Sequence, residues 1–156
     1  MNHDVALNVN GRQHRLTVKS HHTLLEVLRD QLKLFGTRES CGMSLCGACT
    51  VLIDELPVSS CSYLAARAQG HAITTIEGLA DGQNLHPVQQ AFLEHGAFQC
   101  SYCTPGMILT ATSLLRENPS PTVDDVKDYM AGNLCRCGAY YEIVEAVLSA
   151  AERMRS

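Results

Sequence analysis

Residues Glu39 to Cys49 read ESCGMSLCGAC and place three cysteines in one short segment, with small residues between them. A protein crowds thiols in this way for a disulfide framework, a zinc site or an iron-sulfur cluster. These alternatives differ in the cysteine spacing that they need and in the cellular compartment that they tolerate. The remaining cysteines and the composition of the chain therefore have to decide between them.

The composition is that of a folded protein without nucleic-acid-binding character. Of 156 residues, 46% are apolar and 18% are charged, which fits a buried core. The net charge is -4 and no block of Lys and Arg occurs, so we expect no nucleic-acid partner. Neither a secretory signal nor an apolar run long enough for a membrane span is visible. We therefore expect a cytoplasmic chain without a membrane span, with export to the periplasm alongside a signal-bearing partner as the alternative.

The first half of the sequence predicts a small α+β domain. Alternating apolar residues flank Asn10-Gly11, which is the strongest short hairpin signal, so we expect a β-hairpin over residues 4–18. A capping-box pattern at Thr23 and apolar residues at helical spacing predict one amphipathic helix that ends at Gly36. Further strands are expected at 50–53, around 57–58 and at 72–76.

The second half reads as helical throughout. The stretch ADGQNLHP near residue 80 combines turn-forming residues and predicts a linker, which gives a first domain at 1–78 and a second at 79–156. Capping residues, prolines and glycines predict four helices, beginning at Pro87, at Thr104-Pro105, after Thr122 and near Tyr140, with the third running toward Gly132. Helices this short are expected to form a compact four-helix bundle.

The eight cysteines divide equally between the two predicted domains. The first four have the spacing C-x4-C-x2-C-x11-C and the second four C-x2-C-x31-C-x-C. Four thiolates are the requirement of one 2Fe-2S cluster, and three close cysteines with a distant fourth are typical of plant-type ferredoxins. We therefore predict two 2Fe-2S clusters, with these metal ligands: Cys41, Cys46, Cys49, Cys61, Cys100, Cys103, Cys135 and Cys137.

Zinc is the main alternative, since four thiolates in a tetrahedron are a common structural site. It fits the first four cysteines poorly, because structural zinc usually takes two paired cysteine turns, whereas the second four could hold either metal. Disulfides are disfavoured because the chain has no secretory signal. No dinucleotide fingerprint, phosphate loop or nucleophile elbow is present, so we expect no catalytic residue in this chain.

The residues around the cysteines suit a buried anionic cluster, whose charge is very costly to bury without hydrogen-bond donors. Gly42 and Gly47 allow the backbone to turn its N–H groups toward sulfur. In the second half, both cysteine pairs immediately precede predicted helices, so two positive helix ends would face one cluster. Arg136 adds a cation between two of the predicted ligands.

Three segments together resemble one known family. They are ESCGMSLCGACTVLID, FQCSYCTPGM and NLCRCGAYYEIVEAV, and they resemble the small iron-sulfur subunit of molybdenum hydroxylases, such as xanthine dehydrogenase, aldehyde oxidoreductase and carbon monoxide dehydrogenase. The resemblance covers essentially the whole chain. It implies a β-grasp, ferredoxin-like N-terminal domain with one cluster and a helical C-terminal domain with the other.

The resemblance also implies the function of an electron relay. In relatives, single electrons leave molybdopterin on a large subunit, pass through both clusters and reach FAD on a medium subunit, commonly in a dimer of heterotrimers. The residues that contact the pterin in relatives correspond here to Gln99 and Cys137, the second of which would also bind a cluster.

Departures from the family pattern affect loops only. The chain has Ser40 where relatives commonly have Gly, and Asp54-Glu55 where they have an Asp-Gly turn. Gly138-Ala139 after the C-x-C pair resembles bacterial three-subunit enzymes and favours a separate small subunit. Two other functions stay open from the residues alone: a zinc-stabilised interaction module and a free-standing electron carrier.

Overall fold

The computed structural model describes residues 1–155, and within them five strands form one mixed sheet. The strands are β1 (Asn2–Val9), β2 (Arg12–Lys19), β3 (Thr50–Ile53), β4 (Leu56–Ser59) and β5 (Ala72–Thr74). Their order across the sheet is β2-β1-β5-β3-β4, with β1 and β5 parallel and the other neighbouring pairs antiparallel. The α+β class with the sheet in the first half is therefore confirmed.

The predicted N-terminal hairpin is confirmed and is slightly longer than expected. Asn10 and Gly11 both have positive φ, 51° and 74°, as a two-residue hairpin turn requires. The alternating residues Val5, Leu7 and Val9 face inward and are buried. They form one core together with Val51 and Ile73 from the central strands.

The helix that follows the hairpin differs from its prediction. The capping box between Thr23 and Glu26 is present, but the α-helical part, α1, covers only Leu24–Glu26 and continues as a π-helix over Val27–Gln31. Val27 and Leu28 in this π-helix are buried in the core that the sheet residues form. At the same time the Arg29 guanidinium donates to the carbonyl oxygens of Phe35 and Thr37, at 3.3 and 2.8 Å, where the cysteine-rich loop begins.

Four longer helices make up the second half of the described chain. They are α2 (Pro87–Glu94), α3 (Thr104–Glu117), α4 (Val123–Tyr129) and α5 (Tyr140–Arg155). His86 caps α2, with its Nδ1 accepting from the Val88 N–H at 3.2 Å, and Thr122 caps α4 through a capping box with Asp125. The predicted bundle of helices after a sheet domain is thus observed.

Helix α3 lies at the centre of the molecule. Every residue from Gly106 to Leu115 is buried, because the helix packs against α2 and α4 and also against strands β3 and β4. A helix that is buried all round belongs to a core rather than to a surface. This position brings the N-terminus of α3, which follows Cys103, next to the cysteine-rich loop of the first half. No helix within residues 1–155 is long and apolar enough to cross a membrane.

Candidate metal centres

The first four cysteines meet at one edge of the sheet. Cys41, Cys46 and Cys49 lie on the loop before β3, and Cys61 lies on the turn after β4. The thiols approach one another in pairs, Cys41 with Cys46 and Cys49 with Cys61. Three residues of the loop have positive φ: Gly42 at 65°, Ser44 at 61° and Gly47 at 67°. Successive left-handed positions of this kind turn N–H groups toward an anion.

Backbone donors stabilise one thiolate of this site directly. The N–H groups of Met43 and Leu45 donate to Cys41 Sγ, each at 3.4 Å. These two hydrogen bonds, with a smaller contribution from the Cys46 thiol, lower the pKa of Cys41 to about 7. Cys49 is the opposite case, because burial raises its pKa to about 11. A metal that binds here must displace the proton of Cys49, whereas much of Cys41 is already ionised near neutral pH.

The second four cysteines lie at two helix starts. Cys103 is the N-cap residue of α3, and Cys137 lies three residues before α5. The thiols again approach in pairs, Cys100 with Cys137 and Cys103 with Cys135, so each pair joins the two segments. The expectation that both segments precede helices is therefore confirmed by the structure.

Backbone N–H groups also favour thiolates in the second site. The Tyr102 N–H, and next the Cys137 thiol, lower the pKa of Cys100. For Cys135, burial raises the pKa, but the N–H of Ala139 and other nearby donors outweigh burial, and the net pKa is lowered. Burial, followed by the neighbouring Cys135, raises the pKa of Cys103 to about 12. Each site therefore contains one thiol, Cys49 or Cys103, whose pKa is raised by burial and whose proton metal binding must displace.

The arrangement in pairs fits a binuclear cluster. Two irons that share four thiolates take two each, so a 2Fe-2S core needs two thiol pairs facing each other. Both sites have two thiol pairs; in the second, Cys100 also interacts with Cys135 of the other pair, and in the first the Ser44 hydroxyl, between Cys41 and Cys46, lies 3.8 Å from Cys61 Sγ. All eight cysteines are free, and no group of three or more His, Cys, Asp or Glu side chains in residues 1–155 converges on a single metal position. The residues present therefore fit a 2Fe-2S cluster in each half.

The two sites contact each other through their loops. The Leu134 N–H donates to the Cys46 carbonyl oxygen at 2.9 Å, which links a ligand loop of the first site to the residue before Cys135. Gly47 and Gly106 make this approach possible: a Cβ on Gly106 would lie 2.3 Å from the Gly47 carbonyl oxygen. No side chain fits between these two backbones.

A second contact joins the other ends of the two loops. The Arg38 guanidinium donates to the Ser101 carbonyl oxygen at 2.7 Å and lies 5.3 Å from the centre of the Tyr102 ring. The Tyr102 hydroxyl donates in turn to the Glu39 carbonyl oxygen. Sequence reasoning missed Arg38, because a single arginine next to a cysteine motif gives no sign of its partner.

Gln99 and Cys137 are brought together by the fold. The Gln99 Nε2 donates to the Cys137 carbonyl oxygen at 3.4 Å, although the residues are far apart in sequence. Gln99 is exposed and Cys137 is partly buried, so both are accessible from one side of the second site. Arg136 is exposed next to them.

Comparison with known protein families identifies two domains. The family model of the 2Fe-2S iron-sulfur cluster binding domain matches residues 7–75, and that of a second 2Fe-2S binding domain matches residues 75–148. Two 2Fe-2S binding domains are therefore present, which corrects the zinc and disulfide alternatives. The boundary at 78/79 stays a prediction.

Individual proteins similar to this chain are subunits of oxidoreductases. The nicotine 6-hydroxylase small subunit of Paenarthrobacter nicotinovorans is 47% identical, over 94% of this chain and 88% of its own length. The aldehyde oxidoreductase iron-sulfur-binding subunit PaoA of Escherichia coli K12 is 42% identical, over 97% of this chain and 73% of its own. Among solved structures, quinoline 2-oxidoreductase from Pseudomonas putida 86 superposes with a TM-score of 0.94 at 41% identity, covering 99% of this chain and 96% of that one.

These similarities confirm the expected fold, a ferredoxin-like domain with a mixed sheet followed by a helical domain. They extend over nearly the full length of this chain, at identities well above 30%. The chain belongs to the family of small iron-sulfur subunits, with two 2Fe-2S binding domains, of the multi-subunit molybdenum hydroxylases.

Proposed function

We propose that this chain relays single electrons from molybdopterin on a large partner subunit, through its two clusters, to FAD on a medium partner subunit. The observation that carries the proposal is the direct contact between the two cysteine sites. The Cys46 carbonyl oxygen accepts from the Leu134 N–H at 2.9 Å, and Leu134 is bonded to Cys135. A path through Cys46, one hydrogen bond, Leu134 and Cys135 therefore leads from one predicted ligand to another.

The eight cysteines are the proposed ligands, four in each half. Each bound cluster would supply a one-electron redox site. The chain's own part is to hold the thiolates in facing pairs and to stabilise their charge. It does so through the N–H groups of Met43 and Leu45 in the first site and those of Tyr102 and Ala139 in the second. Donors of this kind also tune a cluster's reduction potential.

The second site is the proposed side of entry from the pterin. The contact between Gln99 and Cys137 supports this assignment, because one amide that already bonds to the ligand segment could also contact a bound pterin. Nearby Leu134 and Tyr141 are exposed, with 52% and 77% of their surfaces accessible, as expected for a region that a partner covers. We propose that Cys137 is both a cluster ligand and the electron entry point.

The first site is the proposed side of exit toward the flavin. Its loop presents Met43 and Leu45, which are 64% and 65% exposed beside Cys41. Large exposed apolar side chains at a cluster edge fit a permanent subunit better than a mobile carrier, which generally docks through strong charge. The modest net charge of -4 agrees with this reading.

The complete enzyme is proposed to contain this chain, a large molybdopterin-binding subunit and a medium FAD-binding subunit, as a dimer of heterotrimers. By name, the relatives act on nicotine, aldehydes and quinoline, yet their small subunits are all similar to this chain. We therefore propose that the large subunit selects the substrate. The expected location is the cytoplasm, or the periplasm if a partner carries an export signal.

Isolation of the chain under anaerobic conditions tests the proposal. The native protein should be red-brown, with about four irons and four acid-labile sulfides per chain, and reduction should give two distinct electron paramagnetic resonance signals. Affinity purification from the native source should recover a molybdenum-containing chain and a flavin-containing chain. Colourless protein with zinc would overturn the cluster assignment, and recovery of the red-brown chain alone would support a free carrier.

A further inference from the structure

Asn133 lies between the two cysteine sites and is 6% exposed. Its Nδ2 donates to the Gly47 carbonyl oxygen at 3.1 Å and to Thr50 Oγ1 at 3.4 Å. Its Oδ1 accepts from Thr110 Oγ1 on α3 at 3.0 Å. One buried amide thus connects the first cysteine loop, strand β3 and the central helix.

Asn133 lies close in sequence to a ligand of the second site and bonds to the loop of the first, so its hydrogen bonds affect both sites. Asn133 lies two residues before Cys135, and the next residue, Leu134, donates its N–H to Cys46. Gly47 lies between Cys46 and Cys49 and is held from the other side by Thr50, whose Oγ1 donates to the Gly47 carbonyl oxygen at 2.7 Å. The Asn133 amide therefore holds the first loop next to Cys46 and Cys49. It lies itself in the segment that leads to Cys135.

The packing leaves no room for the two segments to move closer. A Cβ placed on Gly47 would lie 2.6 Å from both Asn133 Nδ2 and the Gly132 carbonyl oxygen. The backbone of the first loop therefore rests directly on the residues that lead to Cys135. The hydrogen bonds of Asn133 hold the two backbones together at this distance, next to the bond from the Leu134 N–H to the Cys46 carbonyl oxygen.

We infer that Asn133 is a positioning residue that fixes the separation and the electronic coupling of the two clusters, without binding either of them. The inference rests on the proposed function of the chain as a relay. Loss of the amide leaves the buried Thr110 hydroxyl without its acceptor, which is costly. The Gly47 carbonyl oxygen keeps its bonds from Thr50 but loses the one bond that ties it to the segment before Cys135. The loop is then free to shift away from the segment at 132–134, and the hydrogen bond from Leu134 to Cys46 lengthens.

The test uses the assembled enzyme with Asn133→Ala and Asn133→Asp. The aspartate keeps the acceptor for Thr110 but places a carboxylate oxygen against the Gly47 carbonyl oxygen, so it removes the bonds to the first site and adds repulsion there. Both variants should slow electron transfer between the clusters by between about tenfold and a hundredfold, the range seen for residues that support metal ligands. Thr110→Val removes only the bond that orients the amide, and a smaller change in the same direction is expected.

Ser113→Ala is the matched control. Ser113 is also on α3 and buried, and its hydroxyl donates across to the Glu55 carbonyl oxygen at 2.8 Å, away from both cysteine sites. The substitution Ser113→Ala therefore removes a hydrogen bond between the two halves without changing a contact of the cysteine loops. Stability should decrease in a similar way, whereas the rate between the clusters should stay as in the wild type.

A readout other than activity separates positioning from general stability. With both clusters reduced, their magnetic interaction broadens or splits the electron paramagnetic resonance signals, and this interaction depends on the separation. It should change in the Asn133 variants while iron content stays at about four per chain. Equal effects in Ser113→Ala, or an unchanged interaction and rate in Asn133→Ala, would overturn the inference. If wild-type enzyme passes no electrons between the clusters, the proposed relay itself fails.

Discussion

The two cysteine sites meet the same electrostatic demand with different backbones. The first is an irregular loop in which left-handed residues such as Gly42 and Ser44 turn single N–H groups toward sulfur. The second lies just before α3 and α5, and its donors include the N–H groups of Tyr102 and Ala139, which follow the left-handed residues Ser101 and Gly138. Donors in both sites thus follow left-handed residues, but only the second site has helices directly after its ligands. We therefore expect the first site to be more sensitive to substitution in its backbone.

Removal of one ligand from each site should have the largest effect and distinguishes the roles of the two sites. Cys137→Ala should abolish the cluster of the helical domain, reduce iron to about two per chain, and stop reduction of the flavin by substrate. Cys61→Ala should abolish the other cluster, yet substrate should still reduce the cluster that remains. Iron analysis and stopped-flow spectroscopy measure both results. Normal flavin reduction in Cys137→Ala would show that the proposed order of transfer is wrong.

Substitution of two glycines in the first loop tests how closely the sites pack. Gly47→Ala combines a φ of 67° with a clash at 2.6 Å, and we expect the free energy of unfolding to fall by about 2–5 kcal/mol. Gly42→Ala has a similar φ of 65°, but its nearest neighbour is Glu39 Oε1 at 3.8 Å. Its expected cost is only about 1–2 kcal/mol. Denaturant midpoints of the anaerobic protein measure both values, and equal costs would argue against tight packing between the sites.

Substitutions in the turn between β3 and β4 test a contact between the two halves that lies outside both cysteine sites. Glu55 has a φ of 72° and pairs with Arg116 on α3 at 3.2 Å. Glu55→Ala keeps the strained backbone and loses the exposed ion pair, which should cost at most about 1 kcal/mol. Glu55→Gly also relieves the strain and should therefore be about 1 kcal/mol more stable than Glu55→Ala. If the two variants unfold at the same midpoint, the backbone at this turn is not strained.

The smallest expected effect concerns an ion pair within the helical half. The Arg153 guanidinium, and next the Gln90 side-chain amide, lower the pKa of Glu94 from 4.5 to about 2. Because the folded-state pKa is lowered, this stabilisation is present above about pH 4.5 and is lost as the pH falls through 2. Glu94→Gln should lower the melting temperature slightly at pH 7 and make no difference at the lowest pH. A difference that persists there, or that high salt does not weaken, would contradict an ionic origin.

Local patterns predicted most of the fold. The hairpin turn at Asn10-Gly11 and the capping boxes at Thr23 and Thr122 are present, because each depends on residues within a few positions of one another. Prediction was wrong where distant contacts override local preference. The first helix becomes a π-helix after Glu26, and Arg29 in it donates to the Thr37 carbonyl oxygen, ahead of the cysteine-rich loop.

The end of α4 shows the same effect. The sequence predicts a helix toward Gly132, but α4 ends at Tyr129. The residues beyond it leave helical geometry and contact the first cysteine loop, through Asn133 to Gly47 and Leu134 to Cys46. The contacts of Asn133 were missed for this reason, since its partners Gly47 and Thr50 lie more than eighty positions earlier in the sequence.

By itself, the sequence determined that there are two groups of four cysteines, one in each half, and that strands precede helices. These features follow from spacing and periodicity, which act over short distances along the chain. Only the tertiary structure decided which thiols face each other, such as Cys100 with Cys137, and that the two sites contact through Gly47 and Gly106. The physical reason is packing: the closeness of two loops depends on the volume between them, which only the folded chain defines.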